Sequence, residues 1–146
     1  MDEHKIVNHE NECGRAFPHF DRVEGDALDV LRERIYSLFF KNYNIKLPDE
    51  MIKTQRVVVS KYQKNAAEKD FMLDECFRYF GVCPKERVYV NWRCFDELDR
   101  LLAVDLVSDF SSIWYPESDD IEIFDEELSW MVAIAHDGVV ELRFRL

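Results

Sequence analysis

Three observations predict an α+β fold, a single domain over residues 1–146 in which N-terminal helices pack on a mostly antiparallel sheet ending in a C-terminal β-hairpin. The first is the hairpin. An apolar run from Ser129 to His136 meets Asp137-Gly138, and Val139 to Leu146 returns in strict alternation. The second is helical spacing upstream, in Leu28, Leu31, Ile35, Leu38 and Phe39 and again between Phe71 and Phe80. The third is order, since helical patterns dominate the first two-thirds and strand patterns the last. With 146 residues, 47% of them hydrophobic, the chain can bury one core without staples.

Residues 1–25 are the least patterned, and both an ordered strand and a less ordered arm fit them. They hold His4, His9, Cys13 and His19, donors that zinc accepts. The gaps of five, four and six residues form no compact ligand pattern, so packing or solvated side chains are expected and no metal. Asp26 is placed to cap a helix running to about Asn42. Pro48-Asp49-Glu50 resembles the opening of a second, short helix. Between Gln55 and Tyr62 the run Val57-Val58-Val59 favours a strand.

A helix is expected from Asn65 to Phe80, with Phe71, Met72, Cys76, Phe77 and Phe80 inward and Gly81 as the left-handed residue after its end. Arg87 to Trp92 alternates as a strand. From Phe95 a further helix is expected, with Phe95, Leu98, Leu101, Leu102 and Leu106 buried and the serines at 108, 111 and 112 signalling its end before Ile113. Ile113-Trp114-Tyr115 reads as a short strand, and Ile121 to Phe124 as another. The sheet thus draws on residues 87–92, 113–115, 121–124, 129–136 and 139–145. A two-residue type I′ turn at Asp137-Gly138 would pair His136 with Val139, setting Met131, Ala133 and Ala135 opposite Phe144, Leu142 and Val140 on the core face.

Nineteen basic against 30 acidic residues leave a formal charge of −11. Nucleic acid is bound mainly through clustered lysine and arginine, so this balance argues against it and suits a basic protein partner. The first 15 residues lack the apolar core of a secretory signal, and no apolar run approaches the ~20 residues of a membrane span. A cytoplasmic chain with no membrane partner is therefore expected. Its four cysteines, 13, 76, 83 and 94, show no CxxC spacing and read as reduced thiols. Nothing in the pattern implies an oligomeric state.

Two stretches hold candidate chemistry. Glu117, Asp119, Asp120, Glu122, Asp125, Glu126 and Glu127 lie in eleven residues that contain no base, with Ile121, Ile123 and Phe124 to anchor them on a strand. Such a surface can occupy a Lys- and Arg-lined groove in place of phosphate; a solvated edge-strand rim is the bland alternative. Asp119 and Asp120 with His136 offer metal ligands or an acid and a base for a small metal-dependent hydrolase. However, Asp is favoured in turns for backbone reasons, and no phosphate loop, nucleophile elbow or HExxH pattern is present. No catalytic role and no cofactor are expected.

The series Trp114-Tyr115-Pro116, Ser118-Asp119-Asp120, Phe124-Asp125, Ser129-Trp130 and His136-Asp137-Gly138 resembles the C-terminal pattern of bacterial immunity proteins of polymorphic-toxin and contact-dependent growth-inhibition systems. It covers roughly the last 35 residues. The resemblance implies a cytosolic, non-enzymatic protein that binds one cognate toxin domain, and it carries over no contact residues. Combined with the acidic stretch, it suggests a basic toxin, a nuclease, whose active site is occluded. An adaptor or regulatory binding domain is the remaining alternative.

Overall fold

The computed structural model describes residues 1–40, 57–93 and 95–145. Its first helix, α1 (Glu3–Cys13), is capped by the Asp2 carboxylate, which accepts the His4 amide at 2.8 Å, and ends at Gly14. Residues 1–25 therefore form a helix and an edge strand, β1 (Phe20–Val23). Helix α2 (Gly25–Phe39) buries Leu31, Ile35 and Phe39 as the spacing predicts. Asp26 lies inside its first turn and Glu24 takes the cap position, a correction to the expected boundary. The expected helix at 48–50 lies outside the described residues. Strand β2 (Val57–Lys61) follows.

The Asn65 start signal is real but local. Asn65 Oδ1 accepts the Ala67 amide and Glu68 Oε1 reaches back to the Asn65 amide, the second being one half of a capping box, yet only a turn follows. Helix α3 (Leu73–Phe80) begins eight residues later, leaving Met72 exposed, and Gly81 closes it with φ 67°. Strand β3 (Arg87–Arg93) agrees with the alternation. The helix expected from Phe95 is instead a strand, β4 (Glu97–Leu102), running into helix α4 (Ala103–Ile113). Leu98 and Leu101 are three apart, the same side of a helix but opposite faces of a strand. Each is buried in a different core. Helix α4 continues through the serines to Ile113, so no strand forms at 113–115, and Trp114 stacks on Phe110 at 5.8 Å.

Strands β5 (Ile121–Phe124), β6 (Trp130–Ile134) and β7 (Val140–Arg145) complete a seven-stranded sheet ordered β1-β4-β3-β5-β6-β7-β2, antiparallel at each pairing. The α+β class is as predicted. One face, through Val88, Val90, Ile121, Ile123, Val132 and Ile134, packs against α3 and α4. The other meets α2 through Leu98, Phe124 and Met131. Strand β6, apolar on both sides, is interior, and β7 lies one strand from the edge.

The hairpin register differs by one residue from that expected. Ile134 pairs with Val140, Val132 with Leu142 and Trp130 with Phe144. Ala135 donates its amide to the Val139 carbonyl, and its own carbonyl accepts the Gly138 amide. The loop is thus three residues, His136 to Gly138. Only Gly138 has positive φ, at 81°, which fits a type I turn closed by a left-handed residue and excludes type I′. One residue of slip exchanges the faces, putting Trp130, Val132 and Ile134 on the α3/α4 side and Met131 and Ala133 on the other.

The turn is pinned from outside. Asn65 Nδ2 donates to the Asp137 carbonyl and the Ala66 amide to the Gly138 carbonyl, both at 2.8 Å. A Cβ on Gly138 would lie 1.8 Å from Asn65 Oδ1. Gly138→Ala is therefore expected to destabilise by more than the roughly 1–2 kcal/mol of a left-handed alanine, because Asn65 must also leave its bond. A thermal melt beside Asn65→Ala separates the two contributions, and an unchanged midpoint for Gly138→Ala would contradict the account.

Candidate functional site

Each carboxylate of the 117–127 stretch has a distinct setting. Glu117, at φ 67°, donates its amide to the His136 carbonyl at 2.7 Å, fastening the loop after α4 to the hairpin turn. Asp119 closes that loop: its Oδ2 accepts the Tyr115 amide at 2.7 Å and also contacts Lys5 Nζ, while its carbonyl accepts Trp114 Nε1. Asp120 Oδ1 accepts both the backbone amide of His136, at 2.8 Å, and its Nδ1, at 3.0 Å. The two His136 bonds, the backbone one foremost, hold the Asp120 carboxyl below its ordinary value, and the bond to Asp120 raises the imidazole. Both side chains are exposed, so the pair adds little stability.

Glu122 projects from β5 on the α2 side of the sheet, opposite Asn91 and Ala133. Burial raises its carboxyl, against the opposing pull of Asn91 Nδ2, a 2.5 Å donor to Oε2, and of Arg143. Asn91 is itself fixed, its Oδ1 accepting the Phe95 amide at 2.7 Å.

Asp125 is a correction. It is 2% exposed and accepts Trp130 Nε1 at 3.0 Å and the Glu127 amide at 3.1 Å, so it belongs to the interior and not to a binding surface. Asp125→Ala is expected to cost about 1–3 kcal/mol by leaving the indole N–H unpaired in the core. Urea unfolding measures it, and a loss within error would show that solvent satisfies the indole. Glu126 and Glu127 are exposed, with Glu127 paired to Lys85. The expected single acidic face is therefore divided. Asp119 and Asp120 precede β5 and Glu126 and Glu127 follow it, with the four residues of the strand, about 13 Å of chain at the usual rise, between them.

The upstream group faces a cleft of about 420 Å³ between α1, the ends of β3 and β4, and the 118–122 segment. Asp2, Glu97, Asp119, Asp120 and Glu122 line it with Lys5 and Trp92. Asp120 and Glu122 also wall a second hollow, about 450 Å³, on the sheet face over Ala133 and Ala135, rimmed by Asp137, Glu141, Lys61 and Arg143. Small residues at 133 and 135 leave that depression. Of the three bases, Lys5 touches Asp119 and Lys61 lies 3.3 Å from Glu141, so the pair of hollows is strongly anionic. Sequence reading misses Asp2, Glu97, Asp137 and Glu141. Their convergence follows from the sheet order and from the hairpin register, neither of which a local pattern reveals.

The hydrolase trio is only partly assembled. Asp120 and His136 meet, whereas the Asp119 carboxylate is turned to the Tyr115 amide and Lys5. Among the described residues no group of three or more His, Cys, Asp or Glu side chains is arranged to hold a metal ion. His9 is fully buried, with Nδ1 2.8 Å from Ser112 Oγ and 3.7 Å from Cys13 Sγ; His19 instead lies 3.4 Å from Asp21. Cys13, Cys76 and Cys83 are free thiols, and burial pushes Cys76 up to about 12. No described helix is long and apolar enough to cross a membrane. Compared with protein-family models, with curated proteins and with solved structures, the chain matches none.

Proposed function

We propose that the chain is a cytoplasmic immunity protein that binds a cognate toxin domain, a basic nuclease, and occludes its active site. The observation that carries this reading is the pair of adjoining acidic hollows sharing Asp120 and Glu122. Lysine and arginine side chains that hold phosphate in a nuclease groove would enter them, and a carboxylate wall on a rigid sheet keeps its charges in place before contact. The C-terminal resemblance to immunity proteins supports the same role. Affinity would come chiefly from apolar and aromatic groups around the hollows, Trp92 among them, with the charges steering encounter.

The test is a pull-down with the product of the neighbouring gene, followed by co-expression of the two. Complex formation and rescue of growth are expected, and a soluble, active toxin that neither binds nor is neutralised would end the proposal. A hydrolase reading has one specific observation in its favour, the Asp120–His136 pair at the rim of the hollows. It requires a turnover that His136→Gln abolishes, whereas the immunity reading expects that variant to keep neutralising the toxin.

A further inference from the structure

We infer that the seat occupied by Lys5 is a receptor for a primary ammonium group, and that α1 is a plug which a lysine of the basic partner displaces. The inference rests on the proposed reading for the identity of the partner, though not for the seat itself. The Lys5 ammonium donates to the Ile113 carbonyl at 3.1 Å and to Asp119 Oδ2, and it lies 4.5 Å from the Tyr115 ring centroid and 5.3 Å from that of Trp92. A carboxylate, a carbonyl at a helix C-terminus and two aromatic faces within about 6 Å are the components of an ammonium cage. The cage suits a compact lysine head better than a planar guanidinium. Asp119 is held toward it by the Tyr115 amide, so the carboxylate is positioned independently of Lys5. Because Lys5 also lines the 420 Å³ cleft, a lysine entering that cleft reaches the seat directly.

The segment supplying Lys5 buries few side chains and is held mainly by polar contacts, Met1 to Asp99 and Arg22 and His9 to Ser112. Over residues 1–13 the buried side chains are Met1 and His9, while Val7 is 54% exposed. His9 Nε2 is buried without a hydrogen-bond partner, and on α4 the Asp109 Oδ2 is in the same condition. Such an interface contributes little apolar burial and favours local opening. Its departure would take the Met1 nitrogen from the buried Asp99 and the Met1 carbonyl from Arg22, whose Nε lies 3.4 Å from the same carboxylate and would be left to face it. Asp119, by contrast, would lose its cation, and a partner's lysine restores it.

The seat is tested in the full-length chain by Lys5→Ala with n-butylammonium chloride as probe, read against sodium chloride at matched ionic strength. A saturable rise in melting temperature is expected in the variant and not in the parent protein, and the response should vanish in Lys5→Ala/Asp119→Asn. Equal responses of variant and parent to the two salts would overturn the seat. The plug is tested in the unmodified protein by amide exchange with a tri-lysine peptide. Exchange over residues 3–13 should accelerate by about tenfold or more, within the range typical of coupled sites, while α2 is unaffected. Unchanged or slower exchange at saturating peptide would overturn it, and this arm stands even where the variant does not fold. Neither arm involves a toxin, so a failed pull-down and a failed seat are separate outcomes.

Discussion

Replacing Phe124 with alanine is expected to lower the unfolding free energy by about 3–5 kcal/mol, a large share of a small domain's stability. Phe124 is fully buried where β5 meets α2. Its ring stacks on Tyr89 at 5.6 Å and 18° and lies 6.4 Å from Phe95, and around it sit Leu31, Ile35, Leu128 and Met131. Phe95 cannot easily move into the space. It sits at φ 61° with its amide held by Asn91 and its carbonyl by Arg32, so the void would stay open. Phe124→Leu, which keeps most of the volume, should cost clearly less. Urea unfolding at constant m-value is the measurement, and a loss below about 1 kcal/mol for Phe124→Ala would show that α2 is not anchored through this ring.

The same residues show what was legible in the sequence. Helix α2 and strands β3, β5 and β7 were readable because each has an apolar period matching its geometry, and β6 because a short apolar run leads into a turn signal. Strand β4 was not, because Leu98, Leu101 and Leu102 satisfy a helical period while in fact serving two cores from opposite faces of one strand. The register at Asp137-Gly138 failed for a different reason. The dipeptide suits both a two-residue and a three-residue loop, and the choice lies with partners distant in sequence, Asn65 and Ala66 on the turn and Lys61 beside Glu141. That choice bears on the candidate site, since it sets Glu141 opposite Ala133, which the β5–β6 pairing sets opposite Glu122. The acidic run itself was visible, but not that Asp125 turns inward to Trp130 or that Asp119 is committed to a loop and to Lys5.

Glu97→Lys combined with Glu122→Gln should slow association with the proposed toxin partner by about an order of magnitude or more at low ionic strength, variant and parent converging at high salt. Glu97 and Glu122 both line the cleft; unlike Asp119 and Asp120, neither accepts a backbone amide of its walls, and the one bond Glu122 makes, from Asn91 Nδ2, glutamine can keep. Glu122 adds a second, opposite effect. Burial raises its carboxyl, so the folded state binds this proton more tightly than the unfolded chain. The stability from that proton is complete below the ordinary carboxylate range near pH 4.3 and is lost as pH rises through the raised folded value. Glutamine keeps an oxygen for Asn91 Nδ2 and carries no charge to desolvate. Glu122→Gln alone should therefore be more stable than the parent at neutral pH, with the gain shrinking as pH falls below the raised value. A variant that melts later yet binds more slowly would mark Glu122 as a charge retained at a cost in stability. If the association rate of the double variant is unchanged at low salt, the cleft does not face the partner, and the carboxylates are a solvated rim on the sheet.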